Sequence, residues 1–225
     1  MKFITIRHGE TENNVLQNQS QELYLKNRSK DPELAPDGPE KCKKIGEFLK
    51  NHNIRIDKFY SSLQKRGLKT MTYIGNAYNP KIPKEAIIDL YEYGGIYLEN
   101  KSYPGLTEKE IKEQFPDVIL PKEDIKNGWY LKDHKETENE FRDRLKSVIN
   151  MFKSMAKNSE EDENYTVCII SHRDFLNGFY SLLNSSNFVV NNQLTISHDN
   201  LCISSFDISK DRKININYIN FDPNM

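Results

Sequence analysis

Two histidines, two arginines and a glutamate occupy positions from which a chain could carry out phosphoryl chemistry. His8 and His172 each follow an apolar run, Phe3-Ile4-Thr5-Ile6 and Tyr165-Thr166-Val167-Cys168-Ile169-Ile170-Ser171. Such runs read as buried parallel strands, and in open α/β sheets ligands bind outside the carboxyl ends of the strands. A helix beginning at that edge presents free N–H groups to an anion. If the two strands are neighbours, both imidazoles meet there. Arg7 precedes His8, and Arg66 follows the strand-end pair Ser61-Ser62. A phosphoryl group takes forked donors on its non-bridging oxygens, which arginine supplies better than lysine. Nearby guanidinium charges would also keep an imidazole neutral near pH 7 and able to attack phosphorus. Glu92, in Leu90-Tyr91-Glu92-Tyr93-Gly94-Gly95, ends a predicted strand before paired glycines. A leaving alkoxide needs a proton, and a carboxyl group so placed can carry one.

The elements that must position these residues follow from periodicity. Residues 15–33 read as part helix, then exposed loop. Asp37-Gly38-Pro39-Glu40 opens a helix, with Asp37 as cap and Pro39 in the first turn; Cys42, Ile45, Phe48 and Leu49 form its apolar face. Ile56 to Ser61 reads as a strand, and the next helix carries Leu63, Leu68, Met71, Ile74 and Tyr78 on one side. Residues 79–92 read as extended, with a strand through Ile87, Ile88 and Leu90. Residues 93–135 break this rhythm and read as an insertion covering the site, with one short helix from Thr107 to Phe115. Thr137-x-x-Glu140 is a capping box for a long helix faced by Phe141, Leu145, Val148, Phe152 and Met155. The acidic run Ser159 to Asn164 reads as a solvated loop, and Asp174 to Leu183 as a helix. Leu201 to Ile208 and Ile214 to Phe221 alternate about a Lys210-Asp211-Arg212 turn, the pattern of a terminal hairpin. Strands alternating with helices predict an α/β fold: a three-layer, mostly parallel central sheet with helices on both faces. The expected organisation is one domain over residues 1–225, with residues 93–135 capping the carboxyl-end site.

Composition narrows the partners. With 29% charged residues, a net charge of −1 and no basic run, the chain lacks the electrostatics of a nucleic-acid or membrane-surface binder. Any anion site is therefore local, and the expected partner is a small phosphorylated substrate. No apolar run is long enough to span a bilayer, and residues 1–15 lack a signal peptide's apolar core. Cys42, Cys168 and Cys202 fit no zinc pattern and read as reduced, buried thiols, so the expected compartment is the cytoplasm. Oligomeric state leaves no trace in the sequence.

Five blocks carry a family resemblance. They are Arg7-His8-Gly9-Glu10-Thr11 with Asn14; Leu34-Ala35-Pro36-Asp37-Gly38; Ser61-Ser62-Leu63-Gln64-Lys65-Arg66 with Thr70; Leu90-x-Glu92-x-x-Gly95; and Ser171-His172. In this order they resemble the signature of the histidine phosphatase superfamily, which includes the phosphoglycerate mutases. Three departures stand out: Ala35 where threonine is common, Gly67 where alanine is usual, and Arg173 where glycine commonly follows the second histidine.

The resemblance implies that His8 attacks phosphorus and becomes phosphohistidine. It implies that Arg7, Arg66 and His172 hold the non-bridging oxygens, that Asn14 adds a hydrogen bond, and that Glu92 protonates the leaving oxygen and then serves as base toward water. It implies no metal and no cofactor, because the cations take a metal's electrostatic part. His52, His134 and His198 have no metal-ligand spacing and read as surface or structural, although His198-Asp199-Asn200 is near enough to a strand start to border the site. Arg173 reads equally as an added cation for an acidic substrate or as a side chain turned to solvent.

Cofactor-dependent phosphoglycerate mutases, which this chain resembles, carry arginines just beyond the acid glutamate, where they grip a second acidic group. Residues 93–112 here contain no arginine; Lys101, Lys109 and Lys112 are their cations, among Tyr93, Tyr97 and Tyr103. Aromatics there either pack the insertion or wall a leaving-group pocket. Hydrolysis of phosphomonoesters is accordingly expected ahead of mutase transfer, with a non-catalytic phospho-ligand-binding module as a third reading.

Overall fold

The computed structural model of the chain describes residues 1–99, 101–158, 164–184 and 196–223. Its strands are β1 (Lys2–Arg7), β2 (Lys58–Ser61), β3 (Lys84–Ala86), β4 (Tyr97–Leu98), β5 (Lys101–Ser102), β6 (Val118–Ile119), β7 (Thr166–Ser171), β8 (Ile203–Ile208) and β9 (Ile214–Phe221). Its helices are α1 (Glu12–Gln19), α2 (Gln21–Asn27), α3 (Gly38–Asn51), α4 (Lys65–Tyr78), α5 (Glu108–Gln114), α6 (Glu138–Asn158) and α7 (Arg173–Leu183).

Seven strands form one sheet in the order β6-β3-β2-β7-β1-β8-β9. The first five run parallel; β8 returns antiparallel to β1, and β9 antiparallel to β8. The period-two pleat sorts β1 and β7 onto two faces. Ile4, Ile6, Cys168 and Ile170 join Cys42, Ile45, Leu49, Leu68, Met71 and Ile74 of α3 and α4 in one core. Phe3, Val167 and Ile169 join Phe141, Leu145, Phe152, Phe175 and Phe179 of α6 and α7 in the other. Both faces are thus covered, as continuous apolar runs require. Thr5, the one polar residue inside β1's run, is buried but satisfied, its Oγ1 3.0 Å from Tyr180 Oη. All three cysteines are buried free thiols, and burial pushes their pKa values up, Cys42 to about 12 and Cys202 to about 11.

Three local expectations need correction. The strand expected through Ile87, Ile88 and Leu90 lies earlier, at Lys84–Ala86. Ile88–Leu90 instead form a single 3₁₀ turn, so Glu92 follows a turn rather than a strand. Asp37 precedes α3 in a helix-like conformation and makes no side-chain cap; its carboxylate pairs with Lys41 at 2.7 Å, one turn on. Residues 93–135 do not stand wholly apart from the sheet: β6 pairs with β3 at its edge, while β4 and β5 form a separate hairpin. The capping box of Thr137 and Glu140 is present at the start of α6, and the Thr107–Glu110 box starts α5. The expected acidic loop falls largely outside the described residues.

Helices α3 and α4 approach closely because Gly46 has no Cβ. A Cβ there would lie 2.8 Å from Ala77 Cβ and closer still to the Ile74 carbonyl oxygen. Overpacking of this kind costs about 1–3 kcal/mol. Gly46→Ala is therefore expected to lower unfolding free energy by that amount, read as an earlier urea midpoint with unchanged slope.

Candidate active site

Strands β1 and β7 pair from Lys2↔Thr166 to Arg7↔Ser171, so they end level. The His8 N–H continues the ladder, donating to Ser171 O at 2.9 Å. The His8 and His172 rings consequently lie 5.1 Å apart between centroids, both buried. His8 Nδ1 lies 2.8 Å from Gly9 O; a carbonyl only accepts, so Nδ1 carries the proton. Nε2 keeps its lone pair, and Arg66 Nε–H donates toward it at 3.3 Å. Burial, then the charges of Arg66 and Arg7, hold the His8 pKa well below the ordinary imidazole value. The ring is neutral at physiological pH, with one nucleophilic nitrogen.

His172 ends β7 and precedes α7. Its Nε2 is 2.7 Å from Ser62 Oγ, whereas its buried Nδ1 has no partner among the described residues. Burial, then Arg66 and His8, likewise keep it neutral. With Ser62 donating to Nε2, Nδ1–H becomes a buried donor in need of an acceptor. Arg7 Nε is a second such donor. Buried polar groups are rarely left unpaired, and two orphaned donors beside a nucleophile suit a ligand rich in oxygen acceptors. Gly67 belongs to the same arrangement: a Cβ there would stand 2.7 Å from Ser62 Oγ and 2.8 Å from Ser61 Oγ.

The cations are set from several elements. Arg7 Nη1 donates to His198 O at 3.0 Å, and burial lowers the Arg7 pKa to about 10, leaving it charged. Arg66, in the first turn of α4, has Asp31 at 3.6 Å. Asp31 also accepts the Lys65 N–H at 3.2 Å, and burial outweighs Arg66 to push its carboxyl up to about 6. Thr70 Oγ1 accepts the Gly9 N–H at 3.0 Å and donates to Arg66 O at 2.7 Å, tying the nucleophile's loop to α4.

Glu92 is held by N–H groups on every side. Its Oε1 accepts from Tyr93 N at 2.9 Å and Phe175 N at 3.0 Å, and its Oε2 from Asp174 N at 3.3 Å. It therefore sits on the N-terminus of α7. Its own N–H donates to Gln64 Oε1 at 2.9 Å. Behind this loop, Arg144 forms a buried bidentate pair with Glu136, both contacts at 2.7 Å, and donates to the carbonyls of Asp89 and Tyr91. Glu136 also accepts from Tyr91 Oη at 2.8 Å and from Gly94 N at 3.4 Å. Helix α6 thus clamps the turn that carries Glu92.

Arg7, His8, Asn14, Arg66, Glu92 and Arg173 line one cavity of about 250 Å³, while His172 stands beside His8 with no exposed surface. Asn14 spends its Oδ1 on the Thr11 N–H at 3.1 Å as part of the α1 capping box, which leaves its Nδ2 donors. Arg173 is exposed and lines the cavity. Of the expected aromatics Tyr93 and Tyr97 reach the cavity, whereas nearby Tyr91, Trp129 and Tyr130 are buried packing residues. His198 is buried, its Nδ1 2.8 Å from Asn177 Oδ1, and Asn200 Nδ2 donates to His8 O at 2.8 Å. A larger depression of about 780 Å³ lies at the opposite strand ends, beside Lys2 and Thr166, and contains no imidazole. Among the described residues, no cluster of three or more His, Cys, Asp or Glu side chains could hold a metal ion.

Sequence reasoning missed Asp31, Glu136, Arg144 and Asp174. Asp174, two residues beyond His172 in a helix's first turn, had a readable signal. The other three act through partners distant in sequence and had none.

The match to known proteins agrees with this architecture. Residues 3–221 match the histidine phosphatase superfamily (branch 1), and the chain belongs to it. It is 32% identical over 119 residues to 2,3-bisphosphoglycerate-dependent phosphoglycerate mutase 1 of Lactobacillus johnsonii, across 52% of this chain and 46% of that protein. The matched stretch thus spans less than half of that relative. Its fold resembles the ecdysone phosphate phosphatase of Bombix mori in complex with tungstate, at TM-score 0.67 and 15% identity, covering 100% of this chain and 94% of that one. It also resembles the alpha-ribazole phosphatase of Shigella flexneri, at TM-score 0.63 and 16% identity, covering 98% and 96% respectively.

Asp174 also lines the cavity, beside Glu92. Burial first, and then the Glu92 charge, push its carboxyl up to about 7. As pH rises through 7 this group gains a negative charge, so an anion in the cavity should bind less tightly. Sulfate keeps the same charge from pH 5 to 9. Its affinity, measured by calorimetry, is expected to fall between pH 6 and 8, and Asp174→Asn should flatten that fall.

Proposed function

We propose that this chain is a metal-independent phosphomonoester hydrolase working through a phosphohistidine at His8. The observation that carries this reading is the state of the His8 ring. Its proton is committed to Gly9 O, and its free Nε2 lies under Arg66 in a buried, cation-lined pocket.

In the first half-reaction the Nε2 lone pair attacks phosphorus. The N–P bond forms as the bond to the leaving oxygen breaks, and Glu92 supplies that oxygen's proton. In the second, water attacks the phosphohistidine while Glu92 takes the water's proton; the N–P bond breaks and inorganic phosphate leaves. Arg7, Arg66 and His172 Nδ1–H serve the non-bridging oxygens, and Asn14 Nδ2 adds a donor. These donors are already in place before substrate binds, which is the condition under which electrostatic stabilisation is largest. The Nδ1–Gly9 bond keeps the ring in the attacking tautomer throughout, and the desolvated guanidinium charges offset the developing charge on phosphorus. The expected substrate is a small phosphorylated molecule rather than nucleic acid or membrane. No helix among the described residues is long and apolar enough to cross a membrane, and the cytoplasm remains the proposed compartment.

A second reading, phosphoglycerate mutase, is favoured by the similarity to the Lactobacillus johnsonii phosphoglycerate mutase. It requires that the phosphoryl group return to the bound product before water arrives. An assay primed with a bisphosphate distinguishes the two readings: a mutase interconverts 3- and 2-phosphoglycerate faster than it releases phosphate.

Wild-type protein is expected to hydrolyse p-nitrophenyl phosphate and to carry an acid-labile phosphoryl adduct on His8 by mass spectrometry after rapid quench. His8→Ala should lose both, with activity down at least about 10³-fold. Glu92→Gln should lose about 10²–10⁴-fold on an alkyl phosphate, the usual worth of a general acid, and much less on p-nitrophenyl phosphate, whose leaving group departs without a proton.

A further inference from the structure

The cavity holds more positive charge than one phosphate calls for. Arg7, Arg28, Lys30, Arg66 and Arg173 line it, against the carboxyl groups of Glu92 and Asp174. The chain as a whole carries a net charge of −1, so this excess is concentrated at one place. Arg7 and Arg66 belong to the His8 floor. Arg28 and Lys30 do not; they come from the segment that joins α2 to Asp31.

That segment is built into the wall rather than left loose. Asn13 clasps Ser29 in both directions, its Nδ2 donating to Ser29 O at 2.8 Å and its Oδ1 accepting the Ser29 N–H at 2.9 Å. The Arg28 guanidinium lies over the rings of Tyr24, at 5.5 Å, and Tyr97, at 5.2 Å. Lys30 Nζ lies 3.8 Å from the centre of the Tyr103 ring. These contacts fasten residues 28–30 to the β4–β5 hairpin region beside the cavity. Neither cation has a carboxylate partner among the described residues, whereas nearby Lys65 and Lys69 both pair with Glu33. A cation held against aromatic side chains is fixed in place but keeps its charge.

We propose that Arg28 and Lys30 form a subsite for a second anionic group of the substrate, a carboxylate or phosphate held a few atoms from the phosphoester. This rests on the phosphoryl-transfer reading of the His8 site and adds the substrate class to it. The sequence turned attention to residues 93–112, where no arginine is found; the structure supplies the cations from residues 28–30, which pack against Tyr97 and Tyr103 of that segment. A cavity of about 250 Å³ suits a phosphoryl group with a short acidic chain. Arg173, at the same cavity, adds to the field that draws in such a substrate.

The test uses phosphonates, which bind without turning over. Alkylphosphonates of two, three and four methylenes, each ending in a carboxylate, a second phosphonate or a carboxamide, are titrated into the intact protein by calorimetry. At the best length a charged end should bind at least tenfold more tightly than the carboxamide, and which charged end wins identifies the group. In Arg28→Gln/Lys30→Gln the preference should fall to within about twofold, and Arg28→Lys should retain most of it. Lys30 is exposed, so Lys30→Gln alone is a second, fold-neutral probe and should reduce the preference at least threefold. A wild-type preference near one, or a full preference surviving the double variant, overturns the proposal. Binding of none of the three series overturns it together with the phosphoryl-transfer reading. Failure to hydrolyse p-nitrophenyl phosphate counts against the hydrolase reading alone, because the phosphonate preference needs no turnover.

Discussion

The parallel pairing of β1 with β7 places two residues more than 160 positions apart side by side, and the site depends on it. The ladder runs without a break to Arg7↔Ser171 and one bond further, through the His8 N–H. A slip of one residue would turn Ile4 and Ile6 to the wrong face of the sheet and carry His8 away from His172. Apolar burial on both faces therefore specifies register, and register specifies the distance between the imidazoles. The fold's largest energetic term and the site's geometry are one constraint.

Around that pair the protein tolerates a desolvated cluster of positive charge. Arg7 and Arg66 are buried, and burial lowers both of their pKa values, yet among the described residues only Asp31 lies within ion-pair range of either. Burying charge is costly unless it is paired or hydrogen-bonded. Here the cations are partly served by the His198 carbonyl and by His8 itself, and Arg7 Nε is left unserved. Such a cluster favours two neutral imidazoles when empty and an oxyanion when filled. The same field accounts for the protonation state of both imidazoles and suits the cavity to an anion.

The acid side is assembled differently. Glu92 lies on an irregular turn with no strand to fix it, and Gly94 and Gly95 after it both have positive φ. Its position comes from two sources: the N–H groups of α7 in front, and the Arg144–Glu136 pair behind. Removing one partner of a buried pair leaves an uncompensated charge, so this clamp holds the loop more firmly than a surface ion pair could. Because α7 starts at the residue after His172, the second imidazole and the carboxylate share one mechanical reference.

The sequence by itself determined the parts governed by local pattern. Two apolar runs ending in histidine, the short helix from Thr107, the capping box at Thr137, and the terminal hairpin all depend on residues within a turn or a strand of one another. His8, Arg7, Arg66, Glu92 and His172 were legible for the same reason, each sitting at a recognisable end of an element or in a family block. The strand near Ile87 was misplaced because a buried 3₁₀ turn and a short strand present similar apolar runs. Asp37 was misread as a capping residue because its nearest cation, Lys41, competes for the carboxylate. Tertiary structure alone decided which groups meet across sequence distance: Asp31 with Arg66, Glu136 and Arg144 with the Glu92 turn, Asn13 with Ser29, and Arg28 with Tyr97. Each of these is a side-chain contact that the folded chain makes and that no periodicity in the sequence encodes.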